Sequence, residues 1–375
     1  MLRLKKIYRS PPNSGKAILG RTLPSLLDEG CIRASNDRAF NQRTEVGWQP
    51  LSEQAFVTAA EEIALGLLDL GLEKGDRVAL LMHSDVNFCL ADMGCLLANL
   101  IDVPIDLSQT LENIVFALQH SEAKAIAVSN LDLLDQIVPY WQNVPNLRTA
   151  IVAEVPANWQ QVRAQIAICQ PMKKVEEEAV GNCHSIAIRE HQIEDPATAG
   201  LSIPQYLSQA KHEQSHLEFP SCLQIFSLEE IRAKGQTQNS DTNRQQLRSQ
   251  HSEEVATIIY IPGSTGQLQG VMLTHENLSV NTLAAFTGLP DLKLGAEEVI
   301  LSFLPLTHVF ARTLLYGHMN YGHSIYFSNP NQVIKHLQEV QPTLFATVPL
   351  LLEKVYSQII EGDNKRTKRL AHTKK

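Results

Sequence analysis

From Leu51 onward the apolar positions fall into short blocks that switch between two periods. Phe56, Ala60, Ile63, Leu67 and Leu70 recur at three- and four-residue steps, which places one apolar stripe on a helix. Ser52 before them offers an N-cap hydroxyl, and Gly71 after them suits the C′ position. Lys74-Gly75-Asp76 reads as a turn into the apolar strand Arg77–Met82. A buried helix is expected over Asn87–Ala98, then a short strand at Val103-Pro104-Ile105. Thr110 caps a helix through His120, and Lys124–Val128 is again a strand. The alternation resumes with strands at Ala256–Tyr260, Val299–Leu304, Ser324–Phe327 and Thr343–Val348, and a helix over Val333–Val340. Pro349 suits the first position of a last helix that reaches Ile360 and stops at Gly362. Helix and strand in strict alternation predict an α/β fold whose parallel sheet is covered on both faces.

The pattern lapses twice. Residues 1–45 read as an irregular leader. Across 156–250 apolar density falls while Glu, Gln, Ser and His rise, as in Lys173–Glu178 and Gln236–Gln250. That composition predicts a long, polar, partly disordered insertion with some helix. The expected division is a leader 1–45, a first α/β subdomain 46–155, the insertion 156–250, a second α/β subdomain 251–362 and a basic tail 363–375. There is no internal repeat.

A chain of 375 residues with 44% hydrophobic and 19% charged residues has the composition of a soluble globular protein of two or three domains or subdomains. The net charge of −8 and the absence of a large basic face exclude a nucleic-acid binder. The tail Lys365-Arg366-Thr367-Lys368-Arg369, with Lys374 and Lys375, is a solvated end or a weak peripheral contact to an anionic membrane. The cysteines Cys31, Cys89, Cys95, Cys169, Cys183 and Cys222 form no C-x-x-C pair, which fits a reducing, cytoplasmic setting. The basic start Met1–Lys6 is followed by no apolar segment of signal-peptide type. No apolar run approaches the roughly 18 residues needed to span a bilayer.

The candidate chemistry sits in Tyr260-Ile261-Pro262-Gly263-Ser264-Thr265-Gly266-Gln267-Leu268-Gln269-Gly270. An apolar strand runs into a loop with three glycines and two adjacent hydroxyls, and Val271-Met272-Leu273-Thr274-His275-Glu276-Asn277-Leu278 follows. Glycines let the backbone approach a polyphosphate, and loop N–H groups with the Ser264 and Thr265 hydroxyls can donate to its oxygens. His275, next to the Thr274 cap, reads as a structural first-turn residue.

The segment resembles the phosphate loop of the AMP-forming, adenylate-forming ligases, Tyr-Thr-Ser-Gly-Thr-Thr-Gly-x-Pro-Lys-Gly followed by Thr-His-x-Asn. Elsewhere the chain resembles the long-chain fatty-acid–CoA ligases of that family. The matching stretches are Leu65–Leu80, Val103-Pro104-Ile105, His120–Lys124, Leu304-Pro305-Leu306-Thr307-His308-Val309-Phe310-Ala311-Arg312 and Val348-Pro349-Leu350-Leu351-Leu352-Glu353-Lys354-Val355-Tyr356. The likeness runs roughly over 46–155 and 223–362. It implies the N-terminal part of an adenylation domain, with Gly263, Ser264, Thr265, Gly266, Gln269 and Gly270 around the ATP phosphates. It also implies His308 beside the acyl carboxylate, the Phe310 region along the acyl tunnel, and Mg²⁺ bridging phosphates. The implied reaction activates a fatty acid as acyl-AMP and passes it to CoA.

The chain departs from the family pattern at named positions. Pro262 stands where the family has Ser, Leu268 where it has Pro, and Gln269 where it has Lys. Ala311 replaces a Glu and Leu350 an Arg. Gln269 carries no charge for phosphate. The family's adenine- and ribose-binding segments and its C-terminal catalytic lysine find no match in this sequence. An incomplete domain, impaired or inactive alone, is therefore expected. The alternatives are a non-catalytic acyl- or nucleotide-binding module, or the N-terminal half of a split ligase working with a C-terminal half in trans. A separate pattern, His212-Glu213-Gln214-Ser215-His216, has the H-E-x-x-H form of zinc peptidases, but Pro220 limits the helix it would need.

Overall fold

The computed structural model of the protein describes residues 15–168, 223–263, 267–289, 291–349 and 352–353. The first elements are α1 (Leu23–Arg33), β1 (Phe40–Thr44), β2 (Gly47–Leu51), α2 (Glu53–Asp69), β3 (Arg77–Leu81) and α3 (Val86–Leu97). Then come β4 (Ile101–Pro104), α4 (Leu111–His120), β5 (Ala125–Val128), α5 (Leu131–Asp135), β6 (Thr149–Val152) and α6 (Trp159–Ile168). β7 (Gln224–Ser227), α7 (Leu228–Thr237), α8 (Asp241–Gln246), β8 (Val255–Pro262), β9 (Leu268–Thr274) and α9 (His275–Thr287) follow. The last are β10 (Val299–Ser302), α10 (Val309–Asn320), β11 (Ser324–Phe327) and α11 (Val333–Val340).

These strands form a seven-stranded sheet, β7-β6-β5-β3-β4-β8-β9, and a four-stranded sheet, β10-β11-β1-β2. The α/β class is as the alternation predicts. The larger sheet is covered on both faces. In β3, Val78 and Leu80 belong to one apolar cluster and Ala79 and Leu81 to the other, as a period of two demands. Local signals placed α2 and α4 well. The Ser52 hydroxyl accepts from Ala55 N at 3.1 Å and Thr110 caps Asn113 N. Gly71 takes the left-handed conformation, φ 83°, just past α2. Among the described residues no helix is long and apolar enough to cross a membrane.

Several expected divisions do not match the structure. The leader 1–45 contains α1, capped reciprocally by Thr22 and Ser25, with Leu23, Leu26 and Leu27 buried. It also contains β1, which pairs in parallel with β11. The expected insertion 156–250 supplies β7, in parallel register with β6, and α7, whose capping box is Ser227 with Glu230. Residues 169–222 lie outside the described set. The border at 251 also fails, because β8 and β9 join the larger sheet while β1 and β2 join the smaller one. Two strands are antiparallel against the expected parallel rule, β2 to β1 and β9 to β8. Thr343–Val348 is not a strand, and only Leu344 bridges in parallel to Ile300. Most of the expected last helix and all of the tail 363–375 lie outside the described residues.

α7 is polar overall but lies so close to α2 that glycine is required. A Cβ on Gly235 would sit 1.7 Å from the Glu62 carbonyl oxygen, and one on Gly66 2.0 Å from that of Ile231. Arg232 adds an ion pair to Glu62 at 2.8 Å. Gly235→Ala is expected to cost about 1–3 kcal/mol by forcing the helices apart. The drop in the urea midpoint measures this, and an unmoved midpoint would mean the helices are not so close in solution.

Candidate functional site

Ligands of parallel α/β sheets bind beyond the carboxyl ends of the strands. Here those ends converge. β3 runs out into Met82–Asp85, β4 into Asp106–Ser108, β10 into Phe303–Thr307 and β11 into Ser328–Gln332. Together they line a cleft of about 1090 Å³ between the two sheets. Asp85, Asp106 and Glu154 bring carboxylates from the larger sheet, and Arg43 and Lys335 bring cations from the side of the smaller one. Burial pushes Asp85 up to about 6, although Phe88 N–H donates to it at 3.0 Å as the cap of α3.

The segment 303–307 lines this cleft through Phe303, Pro305 and Thr307 and is tied to the larger sheet. Leu306 N donates to Ser84 Oγ at 2.8 Å, and Thr307 Oγ1 donates to Asp106 Oδ2 at 2.9 Å. His308 is the N-cap residue of α10 but makes no side-chain capping bond. Its Nε2 lies 3.7 Å from Asp106 Oδ2, and its side chain is 66% exposed. Burial tends to raise the Asp106 pKa. Hydrogen bonds from the Ser108 side chain and backbone and from Thr307, with the charge of His308, outweigh it and hold the carboxyl below its ordinary value. Leu107, Val309 and Phe310 remain exposed beside this polar pair and form an apolar lip.

The glycine loop is the tip of the β8–β9 hairpin. Pro262 pairs with Leu268, Ile261 with Gln269 and Tyr260 with Gly270. Gly263 N–H donates to Gln267 O at 2.8 Å and so closes the turn. A Cβ on Gly263 would meet that oxygen at 2.6 Å and the Gln269 side chain at 3.0 Å. Gly270 packs beneath Tyr260, whose hydroxyl meets His120 Nδ1 at 2.8 Å. Ser264, Thr265 and Gly266 lie outside the described residues, as does the H-E-x-x-H stretch at 212–216. The described part of the hairpin does not by itself fit a polyphosphate. It carries no Lys or Arg, and the Gly263 amide is committed to the turn.

His275 begins α9 behind the Thr274 cap, and its Nδ1 accepts from Leu23 N at 3.3 Å. That contact joins α9 to α1 and lies within the fold. A further cluster escaped the sequence reading. Arg312 is fully buried in α10, with Nη1 2.9 Å from Asp102 Oδ1 and 2.7 Å from Thr257 Oγ1. Its Nη2 bonds Asp92, Asp102 Oδ2 at 3.0 Å and the Tyr316 hydroxyl at 2.7 Å. Burial pushes the Asp92 carboxyl up, against the pull of Arg312. The available signal was charge inside apolar runs, Asp92 in α3 and Asp102 in β4, since buried charges need partners.

Comparison with known proteins bears on this arrangement. The model of the AMP-binding enzyme family matches residues 28–374. The chain is 24% identical to the long-chain-fatty-acid–CoA ligase ACSBG2 of Xenopus laevis, over 90% of its own length and 38% of that protein. It is 24% identical to the human ACSBG2 ligase, over 92% of its length and 43% of that protein. A shorter stretch of 118 residues is 36% identical to the ACSBG2 ligase of Gallus gallus, over 30% of this chain and 16% of that protein. The chain thus spans well under half the length of these curated relatives. Among solved structures, the adenylation domain of the carboxylate reductase from Mycobacterium chelonae aligns with a TM-score of 0.62 at 18% identity, covering 90% of this chain and 47% of that one. The A domain of the carboxylic acid reductase from Segniliparus rugosus aligns at 0.64 and 16% identity, covering 92% and 50%. These two likenesses establish the shared adenylation-domain fold.

Proposed function

The chain belongs to the AMP-binding enzyme family, and from that premise we propose that it carries the acyl-binding part of a long-chain fatty-acid–CoA ligase and works poorly or not at all by itself. The observation that supports this most is the exposed His308, 3.7 Å from the cleft-lining Asp106, with Leu107, Val309 and Phe310, the chain neighbours of that pair, also exposed. An apolar lip beside one polar pair suits a fatty acid, whose tail seeks burial while its carboxylate keeps polar company. ATP, Mg²⁺ and CoA are the co-reactants this reading implies. The polyphosphate has the weakest support, because Gln269 brings no charge to the hairpin and lies against Gly263. We place the chain in the cytoplasm, with at most peripheral membrane contact.

Fatty-acid-dependent exchange of pyrophosphate into ATP tests the reading. Exchange by this chain alone would overturn the expectation of impairment and support a complete adenylating enzyme. Exchange only after adding a C-terminal half would support a split ligase. Palmitate binding without exchange in either case would leave an acyl-binding module. The split form has its own motive in the hairpin, whose β9 is the edge strand among the described residues and exposes Val271 and Met272.

Restoring charge to the hairpin gives a direct prediction. A contact charge at an effective dielectric near 20 is worth on the order of 4 kcal/mol, so even half of that amounts to more than about tenfold. Gln269→Lys is expected to tighten ATP binding by at least that factor, read by titration calorimetry. An unchanged affinity would show that the hairpin does not face the phosphates.

A further inference from the structure

The catalytic reading of His308 leaves open what holds its ring. As the N-cap residue of α10 it makes no capping bond, so no backbone group fixes the imidazole. Asp106, in contrast, is tightly held. Its Oδ1 accepts from Ser108 N at 2.8 Å and from Ser108 Oγ at 2.6 Å. Its Oδ2 accepts from Thr307 Oγ1 at 2.9 Å and lies 3.7 Å from His308 Nε2. That last separation is longer than a hydrogen bond and within ion-pair reach.

We infer that Asp106 is the positioning residue of His308, keeping the proton of the neutral ring on Nε2 and leaving Nδ1 as the acceptor presented to a ligand. A carboxylate only accepts, so the ring nitrogen that faces it is favoured as N–H, and the tautomer follows from the geometry. Three hydrogen bonds fix the carboxylate, and the ring inherits its orientation. The two residues come from opposite sides of the cleft, Asp106 from the end of β4 and His308 from the segment after β10. The larger sheet therefore sets the direction of a side chain carried by the smaller one. This deepens the proposed function and rests on its placing of His308 at the acyl carboxylate.

The test uses the full chain with ¹⁵N-labelled histidine rings, observed near pH 8, with His308→Gln to assign the resonance. In Asp106→Asn the amide oxygen can keep both Ser108 bonds, and its N–H₂ then faces Nε2. The ring is expected to shift toward the Nδ1–H tautomer by up to about fivefold, the range of an exposed charge contact, and Asp106→Glu to restore Nε2–H. A purely structural Asp106 would not move this signature, and equal tautomer ratios in wild type and Asp106→Asn would overturn the inference. Should Asp106→Asn not fold, Thr307→Val frees Oδ2 without removing the charge. With that competing donor gone, Oδ2 is expected to accept more strongly from the ring and to raise the Nε2–H fraction, and no change there would be equally decisive. Where the wild-type chain shows palmitate-dependent exchange, Asp106→Asn is expected to lower its maximal rate about tenfold with little effect on the palmitate KM. A chain silent in exchange both alone and with an added C-terminal half would remove the ligase reading, while the ring shifts would still decide the role of Asp106.

Discussion

Arg312→Ala is expected to destabilise the chain by about 3–5 kcal/mol at neutral pH. The guanidinium is fully buried and serves Asp92, Asp102, Thr257 and Tyr316 together. Removing one member of a buried ionic cluster costs about 3–5 kcal/mol, because its partners stay buried without compensation. Stabilities of natural domains are of order 5–15 kcal/mol, so the loss is a large part of the whole. Asp92→Asn with Asp102→Asn in the Arg312→Leu background should recover much of it, since that combination buries no unpaired charge. Urea unfolding of the three proteins checks both statements. A loss below about 1 kcal/mol in Arg312→Ala would show that water reaches the cluster.

A second large effect is expected on acidification. Burial drives the pKa of His275 from 6.5 down to about 4, and its Nδ1 accepts from Leu23 N, a role only the unprotonated nitrogen can fill. The folded value is depressed, so this contribution is fully present above the unfolded value near 6.5. It is lost progressively as the pH falls toward about 4. Between pH 7.5 and pH 4.5 the loss amounts to about 2.5 kcal/mol, at 1.36 kcal/mol per unit of pKa difference. His318 and His323 act in the same direction. His323 Nε2 donates to Lys293 O at 2.8 Å, so its Nδ1 accepts from His318 Nδ1–H at 2.9 Å, and burial holds both rings below the usual value. Glu53 and Asp85 act with the opposite sign, since burial raises them to about 7 and about 6 and their ionisation is a cost that acid relieves. The wild-type curve alone is thus not diagnostic. The quantity to measure is the stability of wild type minus that of His275→Asn, which should fall with pH by the stated amount. A difference independent of pH would mean that His275 is wet.

What was legible in the sequence was what short-range chemistry determines. Ser52, Thr110 and Thr274 each cap the helix expected of them, because a hydroxyl and an N–H three residues on suffice. β3 and β5 read clearly because strands buried on both faces are continuously apolar. β1, with Asn41, Gln42 and Arg43, and β7, which begins with Gln224, carry too few apolar residues to stand out, and they are strands only because β11 and β6 receive them. β9 does not stand out either, since its exposed Val271 and Met272 make sense only on an outer strand. At the site, the spacing of the glycines and the position of His308 could be read from the chain. Asp106 could not, because the Thr307 it binds is 201 residues away. The same distance problem hid Arg312, whose partner Asp102 lies 210 residues upstream.

The smaller sheet also sets an order on synthesis. Asn41 in β1 binds the carbonyl of Ile325 in β11, 284 residues later. At about 5–20 residues per second a ribosome needs roughly 15–60 s to make the intervening chain. For that interval β1 has β2 on one edge but lacks β11 on the other, and α1 lacks α10, against which it mainly packs, while collapse of small chains is faster by orders of magnitude. That exposed apolar surface is open to non-native contacts for the whole interval. Faster translation should raise its soluble yield and slower translation should lower it.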